Sequence, residues 1–310
     1  NALQALRGDF LLVQGDCIQN LMDSVCAELD FPAREISVFK LSGLLEASIR
    51  GSNAQYDDAD MLNRLAVKML PFSGDELGWD VFSLQYNVQK LGSGQSDPLP
   101  VVFTEETMNK YLRIFNFLWR LRHIEHALTR TWHSLKPASV LGHGGFSKDM
   151  QFRSQLRRFH ALHSEMSHFV STLQYYVMFE VLEASSDKFD QEADAGEDLE
   201  SRTVILFFYT HVLMIALPSL QDTLVAAHEK YLDTILTKAL LNQPTERVAQ
   251  QLSSLFEIML EFHRFAEKLY EAAWQASQKF EADQTQVSKS EAKGKWAFVG
   301  RAGMLQGTTQ

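Results

Sequence analysis

Between Gly78 and Trp132 the chain sets an extended aromatic segment, GWDVFSLQYNV, ahead of a run of helical spacing, YLRIFNFLWRLRHIEHALTRTW. Met108, Tyr111, Leu112, Phe115, Leu118, Trp119, Arg122, Glu125 and Leu128 recur at three- and four-residue intervals, which on an α-helix is a single stripe. Phe117, Leu121 and Ile124 fill a second face. A helix apolar on two faces has to be covered on both, so it belongs inside a multi-helix assembly and not at the edge of two layers. Thr104 followed by Glu105 and Glu106 marks its start, a capping hydroxyl with carboxylates facing the positive end of the dipole. Ahead of it, Val81, Phe82, Leu84, Tyr86 and Val88 are β-favouring and partly alternating, which predicts a short strand or hairpin arm. Gly92 to Pro98 reads as a loop.

Helical spacing recurs over Asp9 to Leu29, Leu41 to Arg50, Asp58 to Leu70, Thr104 to Trp132, Phe152 to Ala184, Thr223 to Leu241 and Thr245 to Phe280. Besides Val81 to Val88, the one further strand candidate is Val67 to Leu70. The expected fold class is mainly α, a multi-helix bundle with at most a short β-hairpin. No repeat of fixed period is present, which argues against a regular solenoid. A domain over residues 1–280 is expected, followed by a polar, disordered tail over 281–310. A chain of 310 residues is long enough for a sizeable core. Its net charge of −10 argues against nucleic-acid binding, which needs clustered Lys and Arg. Cys17 and Cys26 lie on one early helix with no signal peptide ahead of them, and read as reduced cytosolic thiols.

Thr203 to Leu217, TVILFFYTHVLMIAL, is almost wholly apolar. A membrane span needs about 20 such residues, and Pro218 ends this run too soon, so no span is expected. A buried helix or strand is the ordinary reading.

No cofactor, metal site or catalytic group is expected. His228-Glu229 opens an HExxH-like pattern, but Leu232 stands where the second imidazole must be. His123 with His126, and His160 with His163, are spaced to clamp a metal between helices, yet no carboxylate or thiol cluster accompanies them. Gly142-His143-Gly144-Gly145 follows no strand and reads as a turn, not a phosphate cradle. Asp57, Asp58 and Asp60 lack the spacing of a calcium loop and suit a helix N-terminus. Nothing resembles an activated Ser or Cys nucleophile.

The pattern W-D-V-F-S-L-x-Y-x-V, then V-F-T-x-E-x-M-x-x-Y-L-R-I-F-N-F-L-W-R-L-R, resembles the C-terminal domain of the gamma-tubulin complex proteins. Other pieces keep that family's order. They are Gly15-Asp16 with Asn20 to Asp23, Leu44 to Ala47 with Asn53 to Asp57, Ser164 to Met166 leading to Gln174-Tyr175-Tyr176 and Phe179 to Glu183, and Ala226 to Glu229 with Tyr231 to Asp233. The likeness covers roughly residues 9 to 275. Against it, joining Leu199 to Asp222 restores an unbroken D-L-D-x-x-x-A-A-H-E pattern, which makes Glu200 to Gln221 an inserted segment, for example from a retained intron. The family's final helical segment is not matched.

The resemblance implies a non-catalytic scaffold whose C-terminal half grips gamma-tubulin, in a ring with other gamma-tubulin complex components that templates microtubule nucleation. It implies a place in the cytoplasm and cytoskeleton, at the microtubule-organising centre or spindle pole. The candidate gamma-tubulin contacts are Trp79, Phe82, Tyr86, Asn116, Arg120, Arg122, Glu125, Gln174 and Tyr175. Arg120, Arg122 and Glu125 either pair along their own helix, worth about 0.2–0.5 kcal/mol for a well-placed pair, or project toward an acidic partner. For Gln174 and Tyr175 the alternatives are core packing and partner contact. Two other classes remain open on sequence: a membrane-associated helical adaptor using Thr203 to Leu217, and a helical metal-dependent enzyme using the four paired histidines.

Overall fold

The computed structural model describes residues 15–56, 64–74, 76–87, 103–140, 150–194 and 218–305. Helices α1 (Gly15–Leu29) and α2 (Val38–Arg50) pack on one another and are followed by strand β1 (Leu65–Met69). A one-turn helix α3 (Gly78–Val81) leads into strand β2 (Phe82–Tyr86). Helices α4 (Glu105–Val140) and α5 (Met150–Tyr175) come next, and α5 runs through a π-helical segment (Tyr176–Glu183) into α6 (Ala184–Asp194). Helices α7 (Pro218–Lys238) and α8 (Glu246–Leu305) complete the described chain.

These elements form two compact units, one of Asn1–His126 with Phe169–Phe256 and one of Ala127–His168 with Glu257–Gln310. In the first, α1 buries Ile18, Leu21, Met22, Val25 and Leu29, the helical spacing of an amphipathic stripe. Its polar side holds the turn after α2: Asn20 donates to the Gly51 carbonyl at 3.3 Å and Asn53 donates to Asp16 at 3.1 Å. Those side chains lie in the motifs that carry the resemblance, and their work here is structural.

Strand β1 corrects the expected helix over Asp58 to Leu70 and overlaps the strand candidate Val67 to Leu70, starting two residues before it. Leu65 to Met69 pair antiparallel with β2, Leu65 opposite Tyr86, Val67 opposite Leu84 and Met69 opposite Phe82. Residues 57–63, with Asp57, Asp58 and Asp60, lie outside the described residues. Local spacing loses here because β2, brought in from twelve or more residues away, satisfies the backbone of β1 and leaves Val67 facing the core. The expected arm over Val81 to Val88 is β2, starting one residue later and ending at Tyr86, with Val88 outside the described residues.

Helix α4 starts where the sequence places it. Thr104 Oγ1 accepts the Thr107 amide at 3.2 Å, an N-cap bond that satisfies one of the orphan donors of the first turn. Tyr111, Phe115, Leu118 and Trp119 are buried on the first face, Leu121 and Ile124 on the second. Helix α7 ends with Leu240 at φ 62 and Leu241 donating back to the Leu236 carbonyl at 2.8 Å, the Schellman pattern with leucine where glycine is usual.

In the second unit, buried polar side chains tie helices together. Thr131 Oγ1 and His263 Nδ1 are 2.7 Å apart, and His163 Nε2 donates to the Leu128 carbonyl at 2.9 Å. Helix α8 continues to Leu305, where the sequence predicts a disordered tail after Phe280. Ala, Glu, Gln and Lys dominate residues 281–293 and no proline interrupts them, so helix propensity carries the backbone on. Thr203 to Leu217, most of the proposed insertion, and the Gly142 to Gly145 turn lie outside the described residues. No helix among those residues is long and apolar enough to cross a membrane.

Candidate interaction surface

Trp79, Phe82 and Tyr86 are buried. The Trp79 indole donates to Asp30 at 2.8 Å and stacks on His123 with ring centroids 3.7 Å apart, while Phe82 lies 4.5 Å from the Trp119 ring. Asn116, half-buried, accepts a hydrogen bond from Ser83 at 3.0 Å and so links α4 to β2. Arg120 reaches Ser253 at 3.4 Å and sits over the Phe256 ring, tying α4 to the first turns of α8.

Arg122, Glu125 and Gln174 come together. Glu125 Oε2 accepts from Arg122 Nη1 at 2.8 Å and from Gln174 Nε2 at 2.7 Å, so one carboxylate oxygen joins α4 to α5. Both partners of the ion pair are about a third exposed, which keeps its contribution small. The bundle therefore uses these polar groups for its own cohesion.

Tyr175 stands apart from the rest. Its side chain is 63% exposed and its ring lies 4.5 Å from that of Phe179, itself 48% exposed. Tyr176 is 40% exposed, and its hydroxyl donates to the Lys238 carbonyl at 3.2 Å. The π-helical segment explains the arrangement. Its wider turn keeps Val177, Val181 and Leu182 inside while Tyr175, Tyr176 and Phe179 form an aromatic ridge outside. Choosing Tyr175 from sequence passes over Tyr176 and Phe179. The available signal is an excess of apolar residues between 175 and 182 over what one buried helix face takes.

The histidine pairs do not build a metal centre. His123 stacks on Trp79, His126 lies 3.2 Å from Asp23, and His160 and His163 pack on the Trp132 ring. Among the described residues no group of three or more His, Cys, Asp or Glu could hold a metal ion. In the second unit Thr131, His263 and Glu267 line up as hydroxyl, imidazole and carboxylate, with 2.7 and 3.4 Å between neighbours. The Thr131 hydroxyl also donates to the Ala127 carbonyl at 2.9 Å and has no solvent exposure, so it is a helix-internal bond and not a nucleophile.

His228, from the Ala-Ala-His-Glu motif, is fully buried with Nε2 3.0 Å from the Tyr111 hydroxyl. Its Nδ1 has no hydrogen-bond partner among the described residues. Burial, and then the nearby Lys110 ammonium, lower its pKa from 6.5 to about 4. A depressed imidazole pKa means the unfolded chain takes up a proton that the folded chain refuses. Stability is therefore unaffected by His228 above pH 6.5 and falls as pH drops from there toward 4. At pH 5 the loss amounts to about 2 kcal/mol. Urea melts of the wild type and of His228→Gln at pH 7 and 5 check this: the variant's acid loss is smaller by about that amount, and equal losses refute the assignment.

The fold is thus a mainly helical one whose motif residues mostly serve packing, with an aromatic ridge among its exposed features. The model of the family "Gamma tubulin complex component C-terminal" matches residues 1–297, and the chain belongs to that family. It is 42% identical over 306 residues to gamma-tubulin complex component 3 of Arabidopsis thaliana, covering 97% of this chain and 33% of the relative. It is 34% identical to gamma-tubulin complex component 3 of Homo sapiens (96% and 29% covered) and 35% identical to a spindle pole body component of Schizosaccharomyces pombe (86% and 29%). The chain spans about a third of the length of the curated relatives it matches.

Proposed function

We propose that this chain is the gamma-tubulin-binding part of a gamma-tubulin complex subunit, a non-catalytic scaffold that acts with other complex components at the microtubule-organising centre or spindle pole. The reading is supported by family membership across nearly the whole chain and by relatives that are named as gamma-tubulin complex and spindle pole body components. Its mechanism is templating. Each subunit holds one gamma-tubulin through a protein–protein interface, and fixing neighbours at set spacing lowers the entropic barrier to the first lateral contacts between tubulins. No covalent chemistry is asked of this chain.

The contact surface we assign is the ridge of Tyr175, Tyr176 and Phe179. Tyr175 and Phe179, exposed aromatics that already contact one another, lose little side-chain freedom on binding, which is why such residues dominate interface energetics. Gln174 holds the start of the ridge to Glu125, and through it to Arg122 on α4. Trp79, Phe82, Tyr86, Asn116 and Arg120 act behind this surface, as the packing that positions it. Co-precipitation with purified gamma-tubulin tests both levels. The double variant Tyr175→Ala/Phe179→Ala weakens retention by at least about tenfold, with circular dichroism confirming that the variant folds. Full retention by the variant moves the contact elsewhere, and no retention by the wild-type chain sinks the function.

A further inference from the structure

The second unit carries another apolar surface, independent of the ridge. On α8, Ile258 and Phe265 are 58% and 59% exposed, and the neighbouring Phe262 stacks on Phe159 of α5 with ring centroids 4.2 Å apart. Phe265 extends the same cluster, 6.4 Å from Phe159, and Leu162 of α5, one turn beyond Phe159, is half exposed. Helix α8 already buries Met259, Leu260, His263 and Ala266 on its inner side, so this is a second apolar face on the same helix. Patches of this kind mark contacts with other macromolecules.

The charges along the stripe say which one. Glu261 and Lys268 flank Phe265 on its own face, at one turn before and one turn after. They are seven residues apart, about 10.5 Å along the axis, too far to pair with each other. Neither has an ion-pair partner among the described residues, and both are exposed. An acidic end and a basic end on one stripe are complementary to the same stripe reversed.

We propose that this face of α8 pairs with the same face of a second copy of the chain, antiparallel and about a two-fold axis at Phe265. That register sets Phe265 against its own copy, Ile258 against Ala272 of the second copy, and Glu261 beside Lys268 of the second copy. A two-fold contact uses each surface twice, so both charge pairs form together. Parallel pairing sets Glu261 against Glu261 and Lys268 against Lys268, and like charges face to face are unfavourable. The inference does not rest on the gamma-tubulin reading.

Sedimentation equilibrium of the whole chain at low salt, with circular dichroism to confirm folding, tests it. The wild type shows a concentration-dependent monomer–dimer equilibrium, and Phe265→Asp weakens it by at least about tenfold. Glu261→Lys weakens it by about tenfold through two like-charge pairs. The double variant Glu261→Lys/Lys268→Glu restores the wild-type dimer constant, a rescue that no effect within one chain produces because the two residues do not touch. A wild type that stays monomeric overturns the proposal, as does a double variant no stronger than Glu261→Lys. So does Phe265→Asp losing gamma-tubulin instead of self-association, which hands the face to gamma-tubulin.

Discussion

Trp119→Ala is expected to lower the unfolding free energy by about 3–5 kcal/mol, the range for removing a fully packed large aromatic side chain. The indole is 2% exposed and sits among Phe82 at 4.5 Å and Phe115 and Trp79 at 6.0 Å, so neither the helix nor the hairpin can close over the vacancy without moving the other. Its ring nitrogen is buried without a hydrogen-bond partner among the described residues. An unpaired buried donor costs about 1–3 kcal/mol. Trp119→Phe keeps most of the volume and removes that donor, so its loss is less than half that of the alanine variant. Both variants lack the ring nitrogen, so denaturant unfolding of the pair isolates the packing term, and equal losses would refute it.

Gly78→Ala is the second large effect. A methyl group at Gly78 would meet Ile36 Cδ1 at 2.3 Å, Leu29 Cα at 2.9 Å and the Leu29 carbonyl oxygen at 3.0 Å. The end of α1 and the start of α3 touch here backbone to backbone, with Gly78 donating to the Phe31 carbonyl at 3.1 Å and Ala33 donating to that of Glu76 at 2.8 Å. The alanine variant is expected to lose about 3 kcal/mol, the upper end for overpacking, because main chain must shift. Adding Ile36→Val removes only the side-chain clash. A double-mutant cycle therefore recovers part of the loss and leaves the Leu29 part; full recovery would place the whole strain on Ile36.

Helix α4 was readable in its start and its buried faces, because a 3.6-residue period and a capping threonine are local properties that survive into the fold, whereas it runs eight residues past the expected end at Trp132. The hairpin was readable in its second strand and only in part in its first, where Val67 to Leu70 stood as a strand candidate inside an expected helix. Phe82 to Tyr86 announce themselves by β-favouring aromatics, whereas Leu65 to Met69 have no alternation of their own and become a strand because β2 pairs with them. At the candidate site, sequence brought out Arg122, Glu125, Gln174 and Tyr175 as residues worth weighing. Three of them converge on one carboxylate oxygen, and only Tyr175 reaches outward. The ridge was half hidden because a π-helical turn changes which side chains share a face, and a period of 3.6 assigns Phe179 and Leu182 alike.

By itself the sequence determined a mainly helical fold, a central helix covered on two faces, and membership of the gamma-tubulin complex proteins, since each rests on periodicity or ordered motifs along the chain. Tertiary structure decided which of the aromatic and charged motif residues are interior. Burial depends on what other elements bring to a side chain, and Trp79 is covered because the turn after α1 supplies Asp30 and α4 supplies His123, while Tyr175 and Phe265, each with a ring neighbour, stay more than half exposed.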